Sequence, residues 1–533
     1  MAYHDKDGKL RKHRRFLNPG LMARFLILLL LLAELVLFVG LFVVLLLELW
    51  SDEYRVTAVI VVFVLDIACC TWIINSKSDP VYKITWMFFV ILLPIFGCVL
   101  YVLFANKATT RGQRKKYLKW SRHAQFHETT PEIRAELEKA CPPIIPLSQY
   151  LEHTCGGAAY GRTSAHYYSL GDYAFEDILA DLRSAKHYIF LEFFIVSSGK
   201  FWDSMLEILI QKAKEGVDVR MLYDDVGSVS TVPVGYAGYL RSQGIKCFAF
   251  EPMRPLLDIR QNNRDHRKIL VVDGHTAYTG GCNLADEYIN AEVRFGHWKD
   301  NFIRLQGEAV YGFTMMFLGN WLSVSGLTDP NPMEYYRFDH FLPEGFVVPE
   351  TDGYFQPYSD LPYDHNSVGE HVYISLLGMA KKTVDISTPY LILDSDLSRA
   401  LVDTAKSGVR VRLLLPHIPD KPAVFQISRS YYGDLIKAGV EIYEYTPGFV
   451  HEKVFLIDGE IATIGTFNLD YRSLVFHLEC GLLFMKSSEI GAMVKDFDET
   501  FAQCERIEYP RWHAWHMRNM FYWAILRVFS PLL

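Results

Sequence analysis

Two stretches of this chain are copies of one another. Residues 265–283 read DHRKILVVDGHTAYTGGCN and residues 451–468 read HEKVFLIDGEIATIGTFN, so that His266, Lys268, Asp273, Gly280 and Asn283 recur as His451, Lys453, Asp458, Gly465 and Asn468, all offset by 185 positions. Chance does not place five matched residues at one offset, and the flanks repeat as well. YAFEDILADLRSAKHYIFLEFFIV, a helix running into a strand, is paralleled by GMAKKTVDISTPYLI; KAKEGVDVRMLYDD is paralleled by TAKSGVRVRLLLP; LRSQGIKCFAF is echoed by LIKAGVEIYEY. Helical and strand signals that alternate in this way build parallel or mixed sheets flanked by helices, and the recurrence doubles the unit. The expected fold class is α/β, with two homologous lobes behind an N-terminal helical region.

Each copy carries the same chemistry. Residues two apart on a strand point to one face, so His451 projects with Lys453, and His266 with Lys268, at the start of an apolar strand. A phosphodiester resists attack because its non-bridging oxygens are negative and its alkoxide is a poor leaving group. Lys268 and Lys453 supply positive charge to those oxygens, and Asn283 and Asn468 supply neutral donors. One neutral imidazole attacks phosphorus while the other, as imidazolium, protonates the departing oxygen, and the roles then reverse. Two histidines in different protonation states around one phosphate require two facing lobes. Asp300 in HWKD and Glu479 in HLEC follow the motifs at similar distances and can accept from the second ring nitrogens. Asp273 and Asp458, five residues beyond the lysines on the same strands, read as structural. His153, His166, His297 and His477 match no spacing and read as surface or core residues. Cys282 has no part in this chemistry. No H-E-x-x-H and no Cys/His cluster occurs, so neither metal nor cofactor is called for.

The remainder of the chain bears on location. A basic extension (1–24) precedes a membrane region (25–105) with three apolar segments: FLILLLLLAELVLFVGLFVVLLLELW at 25–50 with Glu34 inside, a second at about 56–74 with Asp66 inside, and ITWMFFVILLPIFGCVLYVLFA at 84–105. The first is too long for a signal-peptide core and reads as retained. Glu34 and Asp66 read either as polar contacts between helices or with headgroups, or as groups that protonate or reach an interface. Seven Lys and Arg residues crowd positions 6–24 and seven more lie between Lys107 and Arg122. The positive-inside rule would put both flanks in the cytoplasm, which three full crossings cannot do. One segment is then re-entrant or interfacial, or one basic flank lies outside. A basic linker (106–145), the lobes (146–330 and 331–508) and an amphipathic C-terminal segment (509–533) complete the chain. The last, YPRWHAWHMRNMFYWAILRVFSPLL, fits the membrane interface, packing on the core, or a contact between copies in a homo-oligomer. A net charge of −7 gives no support to a nucleic-acid partner, and nine cysteines without a CxxC pair fit a reducing compartment.

The repeated pattern resembles the HKD motif of the phospholipase D superfamily, H-x-K-x4-D-x6-G-[ST]-x-N, with Gly281 standing where the first copy usually has a hydroxyl residue and Thr466 keeping one in the second. From about residue 56 to the end the chain is similar to bacterial cardiolipin synthases, through NNRDHRKILVVDG, SRSYYGDLIKAGVEIYEYTPGFVHEK, NLDYRS and the closing FSPLL. The segment at 25–50 and its basic extension depart from the commonest pattern. The resemblance implies two phospholipase D-type lobes forming one site that moves a phosphatidyl group between two phosphatidylglycerol molecules through phosphohistidine, releasing glycerol. It implies a catalytic set of His266, Lys268, Asp273, His451, Lys453 and Asp458, with Asn283, Asn468 and Thr466 on the phosphate. It further implies His266 as nucleophile oriented by Glu479, and His451 as acid then base oriented by Asp300. The expected setting is a bacterial cell membrane, crossed more than once, with the lobes cytoplasmic and with phosphatidylglycerol and anionic lipids, not nucleic acid, as partners. A hydrolytic phospholipase D, or a phosphatidyltransferase with another alcohol acceptor, would use the same residues. Two complete motifs argue against an inactive scaffold, and the acidic balance and apolar segments argue against a nuclease.

Overall fold

The computed structural model describes residues 2–4, 10–12, 36, 40, 52–76, 80–102, 115, 117–119, 128–252, 263–329, 331–350, 352–364 and 366–530. Most of the basic extension, nearly all of the segment at 25–50 with Glu34, and most of the stretch 106–127 lie outside the described residues.

In the N-terminal unit the helix Asp52–Ile74 is followed by the helix Pro80–Leu92. Within the first, Val56–Ile74 is the one helix among the described residues long and apolar enough to cross a membrane, with a mean hydropathy of 2.5. The third apolar run is not one helix. Pro94 has no N–H to give the helical ladder, Ile95 takes φ 63°, and a short helix, Phe96–Leu100, resumes beyond it. Asp66 meets this break: its Oδ1 accepts from Ile95 N at 3.3 Å and from Cys98 Sγ at 3.6 Å. Of the two readings of Asp66, the structure shows the contact between helices.

The second unit carries the duplication as two sheets. The first contains β1 (Thr163–Tyr168), β2 (Tyr188–Phe193), β3 (Asp218–Asp224), β4 (Lys246–Phe250), β5 (Ile269–Val272), β6 (Thr276–Gly280) and β8 (Phe302–Gly307), while β7 (His297–Lys299) stands outside it. The second contains β9 (Tyr354–Asp360), β10 (Thr383–Ser387), β11 (Arg410–Pro416), β12 (Glu441–Tyr445), β14 (Val454–Ile457), β15 (Ile461–Gly465), β16 (Glu479–Met485) and β17 (Cys504–Arg506), with β13 (Gly448–Val450) outside. The spatial orders are β1-β8-β6-β5-β2-β3-β4 and β9-β16-β15-β14-β10-β11-β12-β17. Strand for strand they are the same, and the second adds β17 at its edge. Strands β2, β3 and β4 run parallel, as do β10, β11 and β12, and the others pair antiparallel. The run YIFLEF of β2 is buried throughout, as a strand covered on both faces requires.

Apolar residues from both lobes share one core. Val271, Ile303 and Leu305 belong to the same buried cluster as Val454, Leu456, Ile464 and Leu482. A further tie is main-chain: β7 pairs in parallel with β13, first lobe to second. The expected linker is shorter than its composition implied. Helices Pro131–Ala140 and Ile145–Cys155 and the turn Pro142–Ile144 between them put Leu137, Ile144, Leu147 and Leu151 into a core with Val384, Ile386 and Leu413 of the second lobe. The C-terminal segment forms the helix Tyr509–Phe529, which packs on the helix Pro422–Ala438. Trp512 Nε1 donates to Arg429 O at 2.8 Å and Trp523 Nε1 to Gln426 Oε1 at 2.9 Å. Its Met517, Phe521 and Ile525, spaced four apart, remain exposed.

Candidate active site

The motif hairpins, β5–β6 and β14–β15, deliver the site. Each histidine precedes its hairpin, and the motif aspartate lies in the turn at the far end. Asp273 (φ 47°) and Asp458 (φ 52°) take left-handed backbone there. Asp273 accepts from the N–H groups of Lys186, His187 and Tyr188 at 2.7–2.8 Å. Asp458 accepts from Lys381, Lys382 and Thr383 at 2.7–2.9 Å. Both carboxylates clamp the entry to the neighbouring central strand, away from the histidines. Asp273 and Asp458, which the resemblance places in the catalytic set, here fasten the motif, as their positions along the strands suggest.

At the other end of the hairpins the lobes exchange backbone bonds. His266 N donates to Leu478 O at 2.9 Å, and His451 N donates to Lys299 O at 2.8 Å. The next residues along those two partner strands are Glu479 and Asp300, so each imidazole meets a carboxylate from the other lobe. His266 Nδ1 lies 3.0 Å from Glu479 Oε2, and His451 Nδ1 lies 2.7 Å from Asp300 Oδ2. A carboxylate only accepts, which fixes the proton on Nδ1 and leaves the Nε2 lone pair available. Lys268 Nζ donates to His266 O at 2.7 Å, and Lys453 Nζ donates to His451 O and lies 2.9 Å from its Nδ1 and 3.3 Å from its Nε2. All four of these basic side chains are buried.

Burial and the concentration of cations set the charge states. Burial, then Lys268 and Lys453, push the His266 imidazole well below its ordinary value. Burial and Lys453 push His451 down to about 4 against the pull of Asp300. Burial, with Lys268, pushes the Lys453 ammonium down to about 7. Burial raises Asp300, but His451 and Lys453 more than offset it and its carboxyl stays below the usual range. Burial and the neighbouring lysines thus favour the neutral form of both imidazoles, the form a nucleophile needs.

His266 and His451 open on one cavity of about 620 Å³, also lined by Asn283, Asn468, Tyr288 and Trp298. Asn283 Oδ1 accepts from Ile195 N at 3.0 Å, and Asn468 Oδ1 is buried without a hydrogen-bond partner. Thr466, expected on the phosphate, does not line the cavity; its buried hydroxyl donates to Glu479. Gly281 at the matching place has a steric cause, because a Cβ there would come within 2.0 Å of Asp300 Oδ1. His477, read from sequence as surface or core, lines the cavity, as do Lys421 and Arg472, which the motif spacing did not single out. The signal for His477 was available: it is two residues before Glu479, the same i, i+2 relation that pairs His451 with Lys453. Among the described residues one group could hold a metal ion, His266, His477 and Glu479, whose ligand atoms lie within 4.8 Å of one another. Glu479 is already an acceptor there for Thr466, for His266 and for Ser473 Oγ at 2.5 Å.

Two sheets of one strand order, each bringing a histidine and an asparagine to a shared cavity with a buried motif lysine beside the histidine, define a protein of the phospholipase D class. The crystal structure of phosphatidylserine synthase from Haemophilus influenzae Rd KW20 has this fold, with a TM-score of 0.54 at 14% identity over 69% of this chain and 95% of that one. The family described as "Cardiolipin synthase, PLD-like domain" matches residues 178–295 and 373–504, and the N-terminal region of phospholipase D-nucleases matches residues 64–106. Cardiolipin synthase 2 of Bacillus anthracis is 34% identical over 88% of this chain and 89% of its own length, and cardiolipin synthase of Geobacillus kaustophilus (strain HTA426) is 33% identical over 86% and 90%. An uncharacterized protein of Streptococcus mutans is 39% identical over 87% of this chain. The chain belongs to the cardiolipin synthase family.

Proposed function

We propose that the protein is a cardiolipin synthase that joins two phosphatidylglycerol molecules and releases glycerol. The observation that carries the reading is the crossed pair of imidazole–carboxylate couples over one cavity. His266 Nε2 attacks the donor's phosphorus; the bond from phosphorus to the glycerol oxygen breaks, and that oxygen takes a proton from His451. The phosphatidyl group then rests on His266. A hydroxyl of the second lipid gives its proton to His451 and bonds to phosphorus as the P–N bond breaks. Lys268, Lys453, Asn283 and Asn468 neutralise and orient the phosphoryl oxygens. Thr466 acts through Glu479, as a positioning residue.

Both substrates are bilayer lipids, which accounts for an apolar N-terminal region on the same chain. In this reading the protein is a multi-pass protein of the cell membrane with its lobes in the cytoplasm. Relatives named cardiolipin synthase support the reaction. The test is mass spectrometry of lipids after the purified protein, with chelator present, receives pure phosphatidylglycerol: cardiolipin and glycerol in equal amounts are expected. Phosphatidic acid as the sole product would make the protein a hydrolase.

A further inference from the structure

The helix Tyr509–Phe529 is apolar on two opposite faces. One face is covered: Trp512 and Trp523 are buried against the helix Pro422–Ala438, where a Cβ at Gly433 would collide with the Trp512 ring. On the other face Met517, Phe521 and Ile525 are 62%, 79% and 58% exposed, and Ala514 and Val528 continue their row at a spacing of three. A helix that meets water on its outer side carries its charges there. This one carries them along the flank of the apolar row. Arg511 and Arg518, seven residues apart and both exposed, stand on one flank two turns from each other. Arg511 pairs with Glu505 in the preceding strand, and Arg527 is turned to the protein, where its Nε donates to Ser430 Oγ at 3.0 Å. No acidic residue occurs between Tyr509 and Phe529.

The helix lies close to the catalytic cavity. Trp523 Nε1 reaches Gln426, and an Arg527 guanidinium nitrogen donates to Ser430 O at 2.5 Å, so its C-terminal half runs beside the first turns of Pro422–Ala438. The residues that open that helix, Lys421 and Val424, line the cavity. The first lobe offers an apolar side chain near the cavity too, since Val293, 80% exposed, adjoins the cavity-lining Arg294 and Phe295.

The charges decide what covers the outer face. A second copy laid on it face to face would set the arginines of two acid-free helices against one another, which disfavours that pairing. An anionic bilayer surface meets both features, because the apolar side chains enter the acyl boundary while the arginines of the flank reach lipid phosphates. We propose that the helix Tyr509–Phe529 lies in the plane of the membrane surface as an anchor of the lobes, additional to the apolar N-terminal helices, and holds the cavity at the level of the lipid headgroups. A chain of net charge −7 is repelled as a whole by an anionic surface, so a local basic and apolar contact is what gives it an orientation there. The inference rests on the helix and not on the reaction. It adds to the proposed reaction a way for lipids to present their headgroups while their chains stay in the bilayer.

The test uses the full-length protein in vesicles of phosphatidylcholine and phosphatidylglycerol, with the photocrosslinker p-benzoylphenylalanine in place of Phe521. Mass spectrometry should find it joined to lipid acyl chains. Crosslinks to protein alone, whether to a second copy or to another segment of the same chain, would overturn the proposal. Activity gives a second readout. Phe521→Glu with Ile525→Glu puts two carboxylates against the anionic surface and should lower cardiolipin formation from vesicle lipid by about tenfold. Glycerol release from dihexanoyl phosphatidylglycerol, supplied as monomers to the detergent-solubilised double variant, should stay within about twofold of wild type, since monomers reach the cavity without docking. Arg518→Gln should lower the vesicle rate about threefold, and by less as salt is raised. A double variant that keeps the full vesicle rate, or that loses both rates alike, overturns the docking role. Lipid joined at position 521 in a wild-type background that forms no cardiolipin would uphold the docking and overturn instead the reading of the reaction.

Discussion

The first and second lobes agree in strand order and in five motif positions, and they differ in how each holds the carboxylate it lends to the other's histidine. Glu479, from the second lobe, accepts from Thr466, from Ser473 at 2.5 Å and from His266 at 3.0 Å, with His477 at 3.6 Å. Asp300, from the first lobe, accepts from His451 at 2.7 Å and from Asn301 N at 2.9 Å. The cause is written at matched positions: Thr466 faces Gly281, and Ser473 faces Tyr288, whose hydroxyl instead accepts from Asn283 at 2.9 Å. A carboxylate that several donors share is fixed in place but has less charge left for any one of them. The carboxylate devoted to one imidazole stabilises the imidazolium best. In the proposed reaction this difference suits His266 to attack as a neutral nucleophile on a rigid mount, and His451 to carry the proton out and back. The frame is symmetric, and in that reaction the two carboxylates divide the labour.

That comparison can be broken most severely at the histidines. His266→Ala and His451→Ala should each reduce phosphatidyl transfer by at least about 10⁴-fold, because residues that act as one unit fail together; near-normal turnover of either purified variant would end the two-histidine account. The carboxylates sharpen it next. Asp300→Asn should lower kcat by about 10²–10⁴-fold with little change in Tm, by loss of imidazolium support, whereas Glu479→Gln should combine a smaller kinetic loss with a clear drop in Tm, since the amide leaves one acceptor oxygen for three donors and turns its NH2 on the rest. Kinetics and differential scanning calorimetry on the two variants decide it, and equal effects on both measures would show the lobes to be functionally alike.

A third effect is a pH dependence. Lys453 is charged below its depressed value of about 7 and neutral above it. Because kcat/KM reports the free enzyme, it should fall as pH rises through about 7, approaching tenfold per pH unit where this one group dominates. A kcat/KM that holds steady from about pH 6 to 9 would contradict the placement of Lys453 charge at the phosphate. The smallest kinetic effect belongs to the motif aspartates, where the lobes should not differ. Asp273→Ala and Asp458→Ala each strand three backbone N–H groups and should cost about 2–4 kcal/mol in chemical denaturation, alike in the two lobes, while the folded fraction keeps kcat within about threefold.

Much of this was legible in the chain because duplication exposes itself twice. The α/β alternation, the two sheets and the pairing of His266 with Lys268 and of His451 with Lys453 all follow from local periodicity and one repeated spacing. What was not legible depends on residues far apart in sequence. Thr466 looks like a phosphate ligand by motif position, and only the fold brings Glu479 beneath its hydroxyl. Helices Pro131–Ala140 and Ile145–Cys155 follow a basic, polar stretch, and their few leucines reveal a core only when the second lobe is in place. The segment at 84–105 has the length to span a membrane, yet Pro94 ends the helix and Asp66, nearly thirty residues earlier, completes the break. Lys421 and Arg472 belong to no recurring pattern. They differ between the copies, and a search for likeness passes over them.

The division of labour between the lobes has one direct measurement. His451→Ala is supplied with a phosphatidyl donor whose leaving group, such as p-nitrophenol, departs without a proton, and the protein is digested under alkaline conditions that preserve phosphohistidine. The account predicts a phosphatidyl group on His266 in this variant, formed in a burst of one equivalent and slow to discharge because the base for the acceptor is gone, and no covalent adduct in His266→Ala. An adduct on His451 in His266→Ala, with none on His266 in His451→Ala, would reverse the roles and contradict it.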